Sequence, residues 1–532
     1  MTPQPDSTPP GRAAVVTVVA AALVAAAARL PATAAPLGPD ESGYTMVGRA
    51  WAPEPDSPFG PYWVDRPPLL IAVFRLADLV PGPAGIRWFG VVAAAMAVLA
   101  AAMTAREVVA HVRPGAARRE MSVTVALTAL ATAALLATPS IDVLLTKGEV
   151  LSVPLLLGSA GLVLRALRTG SVTAAALSGT LAGTALGLKQ NLVGAVVFGV
   201  VLLLLERSRS RSRAVPLLRL GGAFAAGVAV TVLGTVAWAV VSGVHLTALW
   251  EAVFGVRADA VGVILEGPRG SNVRRIRTLV GATATTGLGL VLLGLLAHVV
   301  RRGRRASSVA WATLAVAVVD GAGLLLGGFF RLPYLYALVP MAAVTLAILL
   351  TPDDHRGSVV ERRVGGVLTA VVVGSAVVHA APWLLDLPRF QRPSTATMLG
   401  RSLAEVSRPG DSLTMVLGSA NAQLESGLPS PYEHLWSLPG RVRDPELEEL
   451  TSVLEGRDAP TWVVVNYDVA EVLGEQAGVR LDTVLDSRYE DVGTGCGGRD
   501  VYRRVDRPRP HPVLGCAAMT REYGADWVAP VS

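Results

Sequence analysis

The chain has 532 residues, 52% hydrophobic and 17% charged, with a mean hydropathy of +0.49. That balance is too apolar for a soluble globular chain of this length and places the protein in a membrane. Two cysteines exclude a disulfide-framed secreted module, a cysteine-ligated zinc domain and an iron–sulfur protein, and the formal charge of +6 follows from arginines collected in short cytoplasmic loops rather than from a nucleic-acid surface.

Residues 1–14 form a Pro-rich cytoplasmic tail, and the first apolar run, about Val15 to Ala28, is bounded by Arg29. A signal peptide is the other reading of that run. The small residues from Pro31 to Ala35 resemble a cleavage site, but the preceding region carries only Arg12 and is weakly basic. Further apolar stretches lie at about 86–105, 121–138, 149–167, 172–187, 191–205, 215–242, 279–300, 307–328, 334–351 and 364–382, which makes eleven spans. Arginine clusters occupy alternate connections: Arg106 to Arg119, Arg165 and Arg168, Arg207 to Arg213, Arg301 to Arg305, and Arg356 to Arg363. The positive-inside rule then puts the N-terminus in the cytoplasm. Residues 15–382 are thus a transmembrane domain and 383–532 lie outside, in a multi-pass protein of the cytoplasmic membrane.

The external portion changes character. Leu413–Leu417 and Thr461–Val465 are short apolar runs that predict buried strands, and Asp444 to Leu454 predicts a helix between them, so this part is a small α/β domain. Cys496 and Cys516 both fall here, in a compartment where disulfides persist, and a bridge between them is expected.

The first external loop, about 37–85, carries the chemistry. An acidic pair, Asp40-Glu41, follows the first span directly, near the bilayer surface, where a carboxylate is partly desolvated and suited to general-base work once its pKa is raised. Tyr44, Trp51, Tyr62 and Trp63 surround it as interfacial anchors or a sugar-stacking platform. A helix N-cap after Pro39 is the competing role for Asp40; Asp65 and Arg66 are candidates for substrate binding, with local pairing of Asp65 to Arg66 or Arg49 as the structural alternative.

The order of a first span, Asp40-Glu41 with Tyr44 three residues on, Pro61-Tyr62, then Asp65-Arg66-Pro67-Pro68-Leu69 resembles the first external loop of the GT-C superfamily of integral membrane glycosyltransferases. The similarity is to bacterial relatives of protein mannosyltransferases and of lipid A aminoarabinose transferases, and extends to the architecture of about eleven helices with an external C-terminal domain. It implies a sugar donor on a polyprenyl phosphate and an aspartate of the first loop as base, here Asp40 with Glu41 beside it. Displacement at the anomeric carbon needs a carboxylate to deprotonate the incoming hydroxyl and positive charge to hold the departing phosphate.

Further candidate substrate-binding residues follow. Glu149, after Asp142 and Lys147 in the second external connection, matches a second acid of the family, although the helix dipole favours an acid there anyway. Lys189, at the tip of the hairpin between the fifth and sixth spans, resembles a family lysine after a glycine six residues earlier, here Gly183. It holds phosphate as a point charge or snorkels to the interface. The segment Gly327 to Tyr336 resembles a Gly-rich aromatic stretch of the family, but Pro333 stands where histidine is often found. Arg331 and Tyr334 remain candidates for the donor headgroup.

The histidines, among them His245, His355 and His434, show no metal-binding spacing, and no phosphate loop or dinucleotide fingerprint occurs. No metal and no cofactor are expected, with a divalent cation left open. The reading is therefore a hexosyl- or pentosyltransferase acting on an envelope glycan, glycolipid or protein acceptor in the lipid bilayer, with no nucleic acid. A transporter or lipid flippase is the alternative from another class, which the scarcity of charge within the spans disfavours; a third is an inactive scaffold.

Overall fold

The computed structural model describes residues 10–82, 84–209, 214–266, 269–328, 330–351 and 358–515. Arg213, His355, Arg356 and Cys516, named above, lie outside the described residues, as do Arg211 and Phe329 within the ranges given.

The helices run α1 Arg12–Ala27, α2 Pro39–Arg49, α3 Pro68–Ala77, α4 Gly85–Val112, α5 Arg118–Ala137, α6 Gly148–Thr169, α7 Val172–Leu188, α8 Gly194–Arg209 and α9 Ala214–Val241. After them come α10 Leu246–Trp250, α11 Val256–Glu266, α12 Arg269–Thr285, α13 Leu288–Arg302, α14 Ser308–Leu326, α15 Val339–Leu350 and α16 Ser358–Leu385.

Among the described residues, eight helices are long and apolar enough to cross a membrane: α1 with the turn that extends it to Ala34, α4, α5, α6, α9, α14, α15 with its preceding 3-10 turn, and α16. A ninth arises if α12 and α13, bent by 70° at their junction, make one broken span. The two remaining expected spans form helices of 17 and 16 residues, α7 and α8. At 1.5 Å per residue these reach only about 24–26 Å, less than a hydrocarbon core of roughly 30 Å.

The bundle core is built largely of alanine, valine and leucine from α4, α5, α6 and α15. Outward faces stay apolar, with Val16, Leu23, Leu233 and Val378 each more than half exposed, as expected of helices that meet lipid rather than water. Small residues let two helices touch backbone to backbone. A methyl group built on Gly179 of α7 would lie 2.0 Å from the Phe224 carbonyl oxygen of α9, and one on Gly227 would lie 2.0 Å from that of Ala176.

After α16 come α17 Leu387–Phe390, α18 Thr395–Val406, strand β1 Leu413–Val416, α19 Ala420–Ser426, α20 Ser437–Arg443, α21 Glu448–Glu455, β2 Trp462–Val465, α22 Val469–Leu473, α23 Glu475–Arg488, and the hairpin of β3 Tyr489–Gly495 with β4 Arg499–Arg504. The sheet order is β1-β2-β4-β3, with β1 and β2 parallel and the other pairs antiparallel.

Both expected strands are present, and their period of two explains their unbroken apolar runs. Trp462 and Val464 pack with Leu399 and Leu403 of α18 on one face, whereas Val463 packs with Leu450, Leu481 and Leu485 on the other. The helix expected from Asp444 begins at Glu448. Asp444 sits before it as an acceptor for the backbone amides of Glu449 and Leu450, at 3.1 and 3.0 Å.

This region docks on the first long loop through a separate apolar cluster in which Tyr44, Tyr62, Trp63 and Phe74 meet Ala420 and Leu435. Two hydrogen bonds fix the register: the Trp63 amide donates to the Glu433 carbonyl at 3.0 Å, and the Ser430 amide to the Tyr62 hydroxyl at 3.2 Å.

Candidate active site

The site begins with the start of α2. Gly38 is the N-cap, Pro39 fills the first helical position where its missing amide costs nothing, and Asp40 and Glu41 stand in the first turn where the helix dipole favours carboxylates. The two acids then diverge.

Glu41 points inward and is fully buried. It closes the capping box by accepting the Gly38 amide at 2.9 Å, accepts the Thr146 amide at 2.7 Å, and pairs with Arg87 at 2.8 Å. Arg87, at the start of α4 and equally buried, also donates to the carbonyls of Ala35 and Pro36. Every lone pair available to Glu41 is thus engaged, and the capping role considered for Asp40 belongs to Glu41.

Asp40 points toward the docked C-terminal region. One carboxylate oxygen accepts the Lys147 ammonium at 2.6 Å, and the other accepts the Trp436 indole N–H at 3.1 Å. Burial pushes this carboxyl up, but Lys147, by charge and hydrogen bond, and then Arg66 and Arg331 outweigh it and hold Asp40 well below the usual carboxylate range. Proximity to the membrane was expected to raise it; the lysine reverses that sign.

Trp436 reaches Asp40 because of a glycine. Its indole closes on α2 at Gly43, where an added methyl group would come within 2.2 Å of the ring, and it also packs on Tyr44 at 5.3 Å between centroids.

Around this centre stand further cations. Arg66 pairs with Asp65 at 2.6 Å and lies over the Tyr44 ring at 5.6 Å, and Arg257 of α11 reaches the other oxygen of Asp65 at 2.5 Å. Asp65 thus takes Arg66 and not Arg49, which pairs with Asp78. Lys189 donates to Glu149 and places its ammonium 3.9 Å from the centre of the Tyr334 ring. Arg331 is exposed and forms no salt bridge among the described residues, while its charge reaches both Asp40 and Arg275. Three carboxylates, Asp40, Asp65 and Glu149, therefore face five cations, Arg66, Lys147, Lys189, Arg257 and Arg331, while a fourth acid, Asp142, also near Lys147, has Arg29 beside it.

The expected residues Asp40, Tyr44, Asp65, Arg66, Glu149, Lys189, Arg331 and Tyr334 thus gather at one end of the bundle, and Glu41 turns away from them. Lys147, Arg87, Arg257 and Trp436 were not singled out. Lys147 stood in plain view, in a short turn between Asp142 and Glu149, and Arg87 was a lone charge opening an apolar span. Nothing in the sequence marked Trp436.

No protein-family model and no curated protein matches the chain. Among solved structures it is similar to ArnT from Cupriavidus metallidurans bound to undecaprenyl phosphate, with a TM-score of 0.55 and 16% identity over 92% of this chain and 97% of that one. It is also similar to the Archaeoglobus fulgidus oligosaccharyltransferase tethered with an acceptor peptide, with a TM-score of 0.51 and 13% identity over 93% of this chain and 74% of that one. Archaeal oligosaccharyltransferase AglB from Archaeoglobus fulgidus, in complex with an inhibitory peptide and a dolichol-phosphate, gives a TM-score of 0.51 and 12% identity over 93% and 75%. These are GT-C membrane glycosyltransferases, and the chain shares their fold.

Proposed function

From that shared fold we propose that the chain transfers a sugar from a polyprenyl-phosphate donor to an acceptor hydroxyl on the outer face of the cytoplasmic membrane. The observation that carries the proposal is the charge surplus around Asp40. After Asp40, Asp65 and Glu149 are each matched by one cation, two positive charges remain. A lipid phosphate is the anion that satisfies them at a bilayer surface.

Asp40 is the base and its two hydrogen-bond donors aim it. Lys147 keeps the carboxylate ionised in the resting state. When a donor phosphate draws the ammonium toward itself, Asp40 loses its strongest partner and gains basicity at the moment the acceptor hydroxyl needs it. Arg66 and Arg331 hold the phosphate, with Lys189 kept in place by Glu149 and Tyr334. Attack by the hydroxyl forms the new glycosidic bond as the bond from anomeric carbon to phosphate oxygen breaks. The hydroxyl proton passes to Asp40, and the lipid phosphate leaves with the bonding pair.

The finer assignments belong to the same proposal. α7 and α8 complete eleven spans as short helices, the N-terminus is cytoplasmic, and the four-stranded sheet lies outside with a bridge between Cys496 and Cys516. The donor sugar is a hexose or pentose, and the acceptor an envelope glycan, glycolipid or protein. The test is transfer by purified protein from a panel of polyprenyl-phosphate sugars. Asp40→Asn should lower the rate by a factor of about 10² to 10⁴ while donor binding persists. Full activity in that variant, with a donor the wild type uses, sinks the mechanism.

A further inference from the structure

A second cluster lies behind the site. Glu433 and His434 are consecutive in the segment before Trp436, and Glu449 opens α21. The His434 imidazole is buried, its residue 3% exposed, and neither ring nitrogen has a hydrogen-bond partner. Its Nε2 lies 3.4 Å from a Glu433 oxygen and 3.8 Å from a Glu449 oxygen, and the three ligand atoms all fall within 4.8 Å of one another.

This arrangement is costly as it stands. A buried imidazole whose two nitrogens both lack a hydrogen-bond partner is desolvated without compensation. Two acids, Glu433 and Glu449, stand beside the ring, with Asp444 as a third close by. Arg443 is the nearby cation, but its Nε is 3.8 Å from Glu433 and its guanidinium is stacked over Trp63 at 5.0 Å.

We propose that Glu433, His434 and Glu449 form a binding site for one divalent transition-metal ion of the Zn²⁺ class. One neutral imidazole and two carboxylates are a donor set such ions accept. Bond lengths of about 2.0–2.2 Å in a tetrahedral site require ligand atoms about 3.3–3.6 Å apart; the 3.4 Å separation from Glu433 falls in that range, and Glu449 at 3.8 Å has a few tenths of an ångström to close. Glu449 is exposed and Glu433 half-buried, which gives the ion its way in and leaves a position for water. Trp63 and Tyr432 stand edge-on to the imidazole at 6.1 and 5.1 Å between centroids and fix its plane.

The ion would brace the segment that delivers Trp436 to Asp40, because Glu433 is already tied through its carbonyl to the Trp63 amide of the first loop. It joins α21 to that segment and makes the docked region one rigid unit. The proposal is independent of the transfer reaction, since binding is read without any donor lipid.

The probe is Co²⁺, with Zn²⁺ as competitor, added to chelator-stripped full-length protein in detergent. One equivalent of Co²⁺ should give visible d–d absorption that Zn²⁺ abolishes. His434→Ala should lose the band, and Glu449→Gln should bind at least about tenfold more weakly. Glu449 lies on the surface, so its variant decides the question if His434→Ala fails to fold. Absence of stoichiometric binding by the wild type, or unchanged affinity in Glu449→Gln, overturns the proposal.

Discussion

Glu41→Ala separates the two adjacent acids. In the wild type Glu41 and Arg87 are 0% and 2% exposed, so deleting the carboxylate leaves a buried guanidinium without its counter-charge. Breaking a buried pair in this way costs about 3–5 kcal/mol. The amides of Gly38 and Thr146 also lose their acceptor, at roughly 1 kcal/mol or more each where water does not replace it. The carbonyls of Ala35 and Pro36 still engage Arg87 and offset part of the loss, so a net destabilisation of about 4 kcal/mol is expected.

Thermal unfolding in detergent measures it, beside the double variant Glu41→Leu/Arg87→Met. The double variant removes both charges and should unfold at a higher temperature than Glu41→Ala, because no buried ion is left unpaired. Glu41→Gln keeps an acceptor oxygen and should retain measurable transfer, in contrast to Asp40→Asn. If Glu41→Gln abolishes transfer without lowering the unfolding temperature, the assignment of catalysis to Asp40 rather than Glu41 is refuted.

Replacing Lys147 by Met leaves the burial of Asp40 unopposed by its main partner. In the wild type the depressed carboxyl keeps its ion pair from neutral pH down through the ordinary carboxylate range and loses it only as pH falls through the folded-state value. The acid limb of the residual rate should therefore move to higher pH in Lys147→Met, and a limb that stays or falls contradicts the pairing. Lys189→Ala should weaken donor binding more than it slows the chemical step, measured as KM against kcat, and an effect confined to kcat counts against a phosphate role. Gly43→Leu fills the space held by the Trp436 ring, so transfer should drop at least about tenfold with the bundle still folded, whereas unchanged transfer would show that Trp436 is dispensable. Cysteines placed at the exposed positions 457 and 304 report topology: an impermeant thiol reagent applied outside should label the first and miss the second, and the reverse pattern inverts the membrane orientation.

What the sequence determined is what depends on short stretches of chain. Apolar runs are legible because a hydrocarbon interior accepts little else. The strands at 413–416 and 462–465 announced themselves because both of their faces are buried. The hairpin of β3 and β4 did not, since nearly half of its residues are charged and in β4 only the face of Val501 and Arg503 is buried. The first loop named the acids and could not divide them. Asp40 and Glu41 differ by one position, and which of them faces the site depends on the rotation of an eleven-residue helix against Arg87 and Thr146, fixed by packing with groups 46 and 105 residues away. Likewise the sign of the Asp40 shift rests on Lys147, 107 residues on, and its second hydrogen bond on Trp436, 396 residues on. Local pattern carries burial and span; long-range partners set the charge of a carboxylate, and only the folded chain brings them together.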